Sequence, residues 1–197
     1  MSTVSLPAVF QVSSCNLRLS VSQRVSASPF GGSEQAIDLL NDRWLMTLQL
    51  IQNSYANAQA IEAFIGSMRG QTNTVSLYHF ARMAPIGTVR GTLTLNAAAA
   101  QGASSIVVTG CVPTTGTLKA GDLLGVGGLL LMVASDCTAV AGVITIPITN
   151  RLRSALSSGA SVTWSAPTAT FRLLTTSDVT YVAGTSGSVS MDFGEAI

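Results

Sequence analysis

Charge is scarce in this chain. Only 10% of its 197 residues are Asp, Glu, Lys or Arg, and the formal net charge is +1. There is no basic field to hold nucleic acid and no acidic run to repel it. A free monomer carries about 25% charged residues. So low a share on a chain that is 47% hydrophobic implies that other subunits cover much of the surface. Histidine is rarer still: His79 stands alone and would have to be the only imidazole base of a Ser or Cys triad. It reads instead as a satisfied strand residue. The nine acids, Glu34, Asp38, Asp42, Glu62, Asp122, Asp136, Asp178, Asp192 and Glu195, show no local spacing that promotes a catalytic pair. Cys15, Cys111 and Cys137 are odd in number and far apart, with no CxxC pair. Neither a zinc site nor a disulfide framework fits them, and they read as small buried hydrophobes in a reducing compartment. The residues thus assign no catalytic, cofactor-binding or metal-binding role, and no enzyme activity is expected.

Long apolar runs are also missing. Leu123 to Ser135 is free of charge but holds three glycines and falls short of the roughly 18 residues a membrane span needs. The opening MSTVSLPAVFQVSSCNLRLS lacks the basic start and apolar core of a secretory signal. A soluble protein, or a part of a soluble particle without membrane contact, is the expectation. A chain of this length buries roughly 70% of its unfolded surface without special staples.

What the chain does have begins with Arg43 to Gly70. Trp44, Met46, Leu48 and Leu50 alternate with Arg43, Thr47 and Gln49, the pattern of a half-buried strand. Ala58, Ile61, Ile65 and Met68 then recur at helical spacing, with Asn53 or Ser54 as cap and Gly70 in the left-handed position beyond the end. The spacing predicts one helix over 54–69, facing inward through Ile61, Ile65 and Met68 and leaving Tyr55, Glu62 and Arg69 for solvent or a neighbour. Residues 2 to 28 alternate as two or more strands. A break at Pro29, Gly31 and Gly32 opens a polar loop to Asp42. Thr74 to Phe80 is a further strand, with Val75, Leu77 and His79 on one side and Tyr78 and Phe80 on the other. Thr170–Thr175, Val179–Val182 and Ser188–Phe193 complete the list of strands outside the central region.

Near Pro85 the composition shifts. All eleven aromatic residues lie outside 81–163, whereas eleven of the eighteen glycines lie inside it. Strands are expected at Gly91–Leu95, Ser105–Thr109, Asp122–Val126, Leu129–Ala134, Val143–Ile148 and Ala160–Trp164. Gly127-Gly128 between two apolar runs signals a two-residue hairpin. Gly125-Val126-Gly127-Gly128 has neither GxGxxG spacing nor a following helix, so it is a turn and not a phosphate loop. Lys119-Ala120-Gly121-Asp122 reads as a tight turn with Asp122 bonding nearby amides. Arg90, Arg151 and Arg153 mark a possible basic edge. Short, evenly punctuated strands suit a small closed barrel. The chain is therefore mainly β: residues 1–84 plus 168–197 form one domain with the helix, interrupted by a glycine-rich, barrel-like module at 85–167 whose ends must lie close together.

Several motifs occur in a telling order: Ser28-Pro29-Phe30-Gly31-Gly32 with Gln35, Arg43-Trp44, Ser67-Met68-Arg69-Gly70, Arg90-Gly91, Ala120-Gly121-Asp122, Arg151-Leu152-Arg153 and Met191-Asp192-Phe193-Gly194-Glu195-Ala196. In this order they resemble the distal tail proteins of long-tailed bacteriophages. The resemblance implies a β-sandwich, tail-tube-like domain with one helix, an outward β-domain, and a homohexameric ring joining the tail tube to the tip or baseplate hub. It further implies a location in the virion after assembly in the host bacterial cytoplasm, with no cofactor. A head decoration or connector protein is the alternative. A carbohydrate-binding module is a lesser one, because it would rest on Trp164 as a stacking platform and Trp164 reads as core.

Overall fold

The computed structural model describes residues 2–27, 31–51, 54–175, 177–181 and 188–196. In chain order the strands are β1 (Thr3–Val4), β2 (Val12–Ser20), β3 (Gln23–Ala27), β4 (Glu34–Asp38) and β5 (Arg43–Ile51), followed by the helix α1 (Tyr55–Met68) and β6 (Thr74–Tyr78). The central region holds β7 (Leu93–Leu95), β8 (Ser105–Thr109), β9 (Thr117–Leu118), β10 (Leu123–Val126), β11 (Leu129–Met132), β12 (Cys137–Thr138), β13 (Val143–Pro147) and β14 (Ser161–Thr163). Strands β15 (Thr168–Leu173) and β16 (Ser188–Glu195) close the chain. The fold is mainly β, with one six-stranded sheet in the order β1-β6-β15-β16-β5-β2 and another in the order β11-β10-β14-β7-β8-β13.

The first sheet is built by alternation. Trp44, Met46, Leu48 and Leu50 of β5 face inward beside Val189, Met191 and Phe193 of β16, Ala169 and Phe171 of β15, and Val75 and Leu77 of β6. The helix closes this core. Ser54 is extended and its hydroxyl accepts from the Asn57 N–H, satisfying one of the free first-turn donors. At the other end Arg69 itself takes the left-handed conformation and its N–H donates to the Gly66 carbonyl, with Gly70 also at positive φ. The buried stripe is Ala58, Ile61, Phe64 and Met68; Ile65 is only half-buried. Phe64 displaces Ile65 from the centre of that stripe because it packs edge-on against Phe10 at 5.7 Å, a contact no local spacing reveals. Asn53, the other cap candidate, lies outside the described residues, as do Ser28, Pro29 and Phe30.

The second sheet closes on itself. Its two edge strands, β11 and β13, are joined beyond their ends by an isolated bridge between Val133 and Ile148, with Ala134 N–H donating to the Pro147 carbonyl and Thr149 N–H to the Met132 carbonyl. Closure removes the free edges that so short a sheet would otherwise present. The chain leaves the first sheet after β6 and returns on its neighbour β15, where Thr168 pairs with Tyr78. The two connecting segments touch through Ala166 N–H and the Met83 carbonyl. Gly127 and Gly128, at φ of 56° and 80°, connect β10 to β11, as a two-residue hairpin turn requires.

That hairpin belongs to both cores. Leu123, Leu130 and Met132 face the helix-covered core, while Leu124, Val126 and Leu131 face the barrel core. Strands buried on both sides read as continuous apolar runs, which explains LLLM at 129–132. The barrel is therefore packed onto the first sheet by a shared element and not merely tethered by two linkers. The approach is tight as well: a Cβ on Gly87 would stand 2.1 Å from the Thr117 carbonyl oxygen and 2.6 Å from Leu118 Cα. Because both obstacles are backbone, Gly87→Ala is expected to cost at least ~2 kcal/mol. Urea denaturation would show this, and an unchanged midpoint would mean that the 85–91 segment moves aside freely.

Two further expectations are corrected. The segment expected as a polar loop to Asp42 contains β4, which pairs with β3 from Gln23↔Asp38 to Ala27↔Glu34. Its side chains bury no face, so no hydrophobic period announces it. Val179 to Tyr181 form no strand, and Val182 lies outside the described residues. The two-residue strands β9 and β12 pair with each other and are too short to carry a pattern.

Candidate functional site

The titratable residues singled out from the sequence are mostly engaged in structure. Asp122 is buried and accepts from the amides of Ile86 (2.8 Å), Gly87 (3.1 Å) and Lys119 (2.8 Å), so it fastens the start of the barrel to the turn before β10. Lys119 pairs on the surface with Asp136 at 2.7 Å; their hydrogen bond raises the ammonium and lowers the carboxyl. His79 is buried, and its Nδ1 accepts from the Ala81 N–H at 3.3 Å. Burial, aided by the Arg82 charge, lowers its imidazole, while burial raises the Cys15 thiol. Both groups are thus held neutral at pH 7, the reverse of what a thiolate–imidazolium nucleophile requires. Burial likewise raises the thiols of Cys111 and Cys137. Among the described residues no group of three or more His, Cys, Asp or Glu is placed to hold a metal. No helix there is long and apolar enough to cross a membrane.

The three arginines of the supposed basic edge are scattered into separate contacts. Arg90 lies 4.9 Å over the Trp164 ring and donates to the carbonyls of Gly87 and Val89, while Trp164 Nε1 donates to Gly91. The indole is spoken for on one face and at its N–H. Arg151 pairs with Asp38 of β4 at 3.3 Å. Arg153 Nη2 stands 2.6 Å from Glu195 Oε1 at the end of β16. The second oxygen of Glu195 accepts from the Trp44 N–H at 3.1 Å, and Trp44 Nε1 donates to the Leu130 carbonyl at 2.7 Å. Together Arg153, Glu195, Trp44 and Leu130 form the polar half of the junction between barrel and sheet.

A cleft of about 390 Å³ lies at the same junction, lined by Arg82, Met83, Ile86, Asp122 and Leu123 among others. Its polar groups face inward to the protein: Arg82 Nη1 donates to the Gly121 carbonyl, and the Asp122 carboxylate is taken by amides. A smaller hollow of about 120 Å³ beside Gly125–Gly128 is lined by Ser161, Thr163 and Thr168 and carries no charged side chain.

The surface, not a pocket, holds the unusual features. Every residue of β3 and β4 is exposed, so the hairpin is an arm standing off the body, rooted by the Asp38–Arg151 pair. Val25 and Ile37 on it and Leu39 and Leu40 at its base are exposed apolar side chains. A two-stranded hairpin alone is marginal in water. β2 runs nine residues along the edge of the first sheet and among the described residues pairs with β5 alone, which leaves its outer row of backbone donors and acceptors open to a further strand. A second patch covers the outer face of α1. Tyr55 is 60% exposed and stacks at 6.3 Å and 11° on Tyr181, itself 43% exposed. The Tyr181 hydroxyl donates to Glu62 Oε2 at 2.7 Å, and that carboxylate raises the phenol and keeps it a donor. Tyr55 and Glu62 were both expected on the open side of the helix; Tyr181, distant in sequence, gave no signal of joining them. Compared with known families and with curated proteins, the sequence matches no family model and no curated protein.

Proposed function

We propose that this chain is a structural subunit of a bacteriophage tail, forming a homohexameric distal ring that joins the tail tube to the tip or baseplate. The β3–β4 arm carries the reading: each of its residues is exposed, and a hairpin with no buried face gains stability only when another surface covers it. The open β2 edge and the low charge of the chain favour broad contact with further copies. The order of motifs that resembles distal tail proteins supplies the particle. In this role the chain works without chemistry, by interlocking, and its partners are its own copies, the tail tube protein and the hub proteins of the tip. It resides in the virion after assembly in the bacterial cytoplasm. Negative-stain imaging of the purified protein, and of tails assembled with it, is expected to show six-fold rings at the distal end of the tube. A protein that stays monomeric at every concentration and is absent from tails would overturn the reading.

A further inference from the structure

We propose that the arm of one copy docks on the tyrosine patch of the next, with Arg24 received by Tyr55, Tyr181 and Glu62. The inference rests on the ring reading and names the contact that would close it. Arg24 lies directly opposite Ile37 in the arm, so the two side chains share one face. Ile37 is 47% exposed, and the Arg24 side chain has no ion pair or hydrogen bond among the described residues. The arm therefore offers a cation and an aliphatic group side by side, uncovered.

The patch on α1 offers the complement. Two tyrosine rings, stacked on one another and both exposed, form an electron-rich surface, and the Glu62 carboxylate sits beside them. Aromatic faces with an adjacent carboxylate attract a guanidinium, and no cationic side chain bonds to the patch within the described chain. Tyr and Arg are also the residues that dominate interface energetics. Arm and patch are different surfaces of the same subunit, so copies joined this way meet head to tail. That is the kind of contact that closes into a ring when its rotation permits.

The test is the assembly state of the full chain by sedimentation velocity, with circular dichroism to establish that each variant is folded. Arg24→Glu and Glu62→Arg are each expected to weaken association ~30-fold or more, and the double variant carrying both is expected to recover it. Should Glu62→Arg not fold, Glu62→Gln keeps an acceptor for Tyr181, removes the charge and is expected to weaken association as well. An assembled wild type with unchanged association in the folded single variants would overturn this contact and leave the ring reading standing. Single variants that dissociate without recovery in the double variant would also overturn it. A wild type that is monomeric at every concentration would remove the ring reading, and this contact with it.

Discussion

Replacing Ile61 by Asp is expected to unfold the helix-covered core. Ile61 is fully buried in an apolar cluster with the inward residues of β5, β6, β15 and β16, which offers no partner to a carboxylate among the described residues of that cluster. Burying an unpaired charge there, with the loss of the isoleucine side chain, costs about 4 kcal/mol or more. Since small domains are stable by only ~5–15 kcal/mol, the variant should lose its cooperative transition or show it at far lower denaturant. The barrel should respond too, because β10–β11 would lose cover for Leu123, Leu130 and Met132 while Leu124, Val126 and Leu131 keep theirs. Glu62→Ala one position along is the control. It removes an exposed bond to Tyr181 and, measured at concentrations where the subunit is unassembled, should move stability by less than ~0.5 kcal/mol. Guanidinium denaturation followed by far-ultraviolet circular dichroism separates the two, and an unchanged transition in Ile61→Asp would mean that the helix presents another face to the sheet.

The contrast between Ile61 and Phe64 shows what could be read from residues alone. The strand at β5, the Ser54 cap, the paired glycines at 127 and 128 and the glycine-rich barrel were all legible, because each is a local pattern with a local cause. The arm was legible only in its first strand: β3 falls within the strands expected over residues 2 to 28, whereas β4 buries neither face, carries no period and sits where a loop was expected. The double-sided role of β10–β11 was half legible: the uninterrupted run of leucines marks a strand covered on both sides, but not which cores cover it. The junction was hidden for another reason. Arg153 and Glu195 are far apart in sequence and meet only through the closure of the barrel onto the sheet, as Tyr181 and Glu62 meet across 119 positions. Nonlocal pairs between single polar or charged residues leave no spacing to detect.

The Arg153–Glu195 pair gives the second large effect, and its dependence on pH has a definite sign. Glu195 is 2% exposed and Arg153 12% exposed at the side chain. Burial raises the Glu195 carboxyl above its ordinary value of 4.5, with the Trp44 amide and the Arg153 charge pulling it back down. The folded protein therefore holds that proton more tightly than the unfolded chain does. Its contribution to stability is fully present below pH 4.5 and is lost as pH rises through the raised folded value. Arg153→Met removes an attraction that lowers the carboxyl, so the folded value rises further and the loss on the alkaline side grows. At about pH 7.5 the variant should be destabilised by roughly 3–5 kcal/mol, the cost of leaving one buried charge unpaired. The deficit should shrink as pH falls toward 4.5, where Glu195 takes a proton in both proteins. Urea midpoints of wild type and variant across that range test it, and the other carboxylates cancel in the difference. Glu195→Gln placed in the Arg153→Met background keeps an acceptor for the Trp44 amide, removes the charge and should restore most of the loss at neutral pH. A deficit that stays constant with pH would mean that Glu195 is solvated by water at the junction and does not depend on Arg153 for its charge.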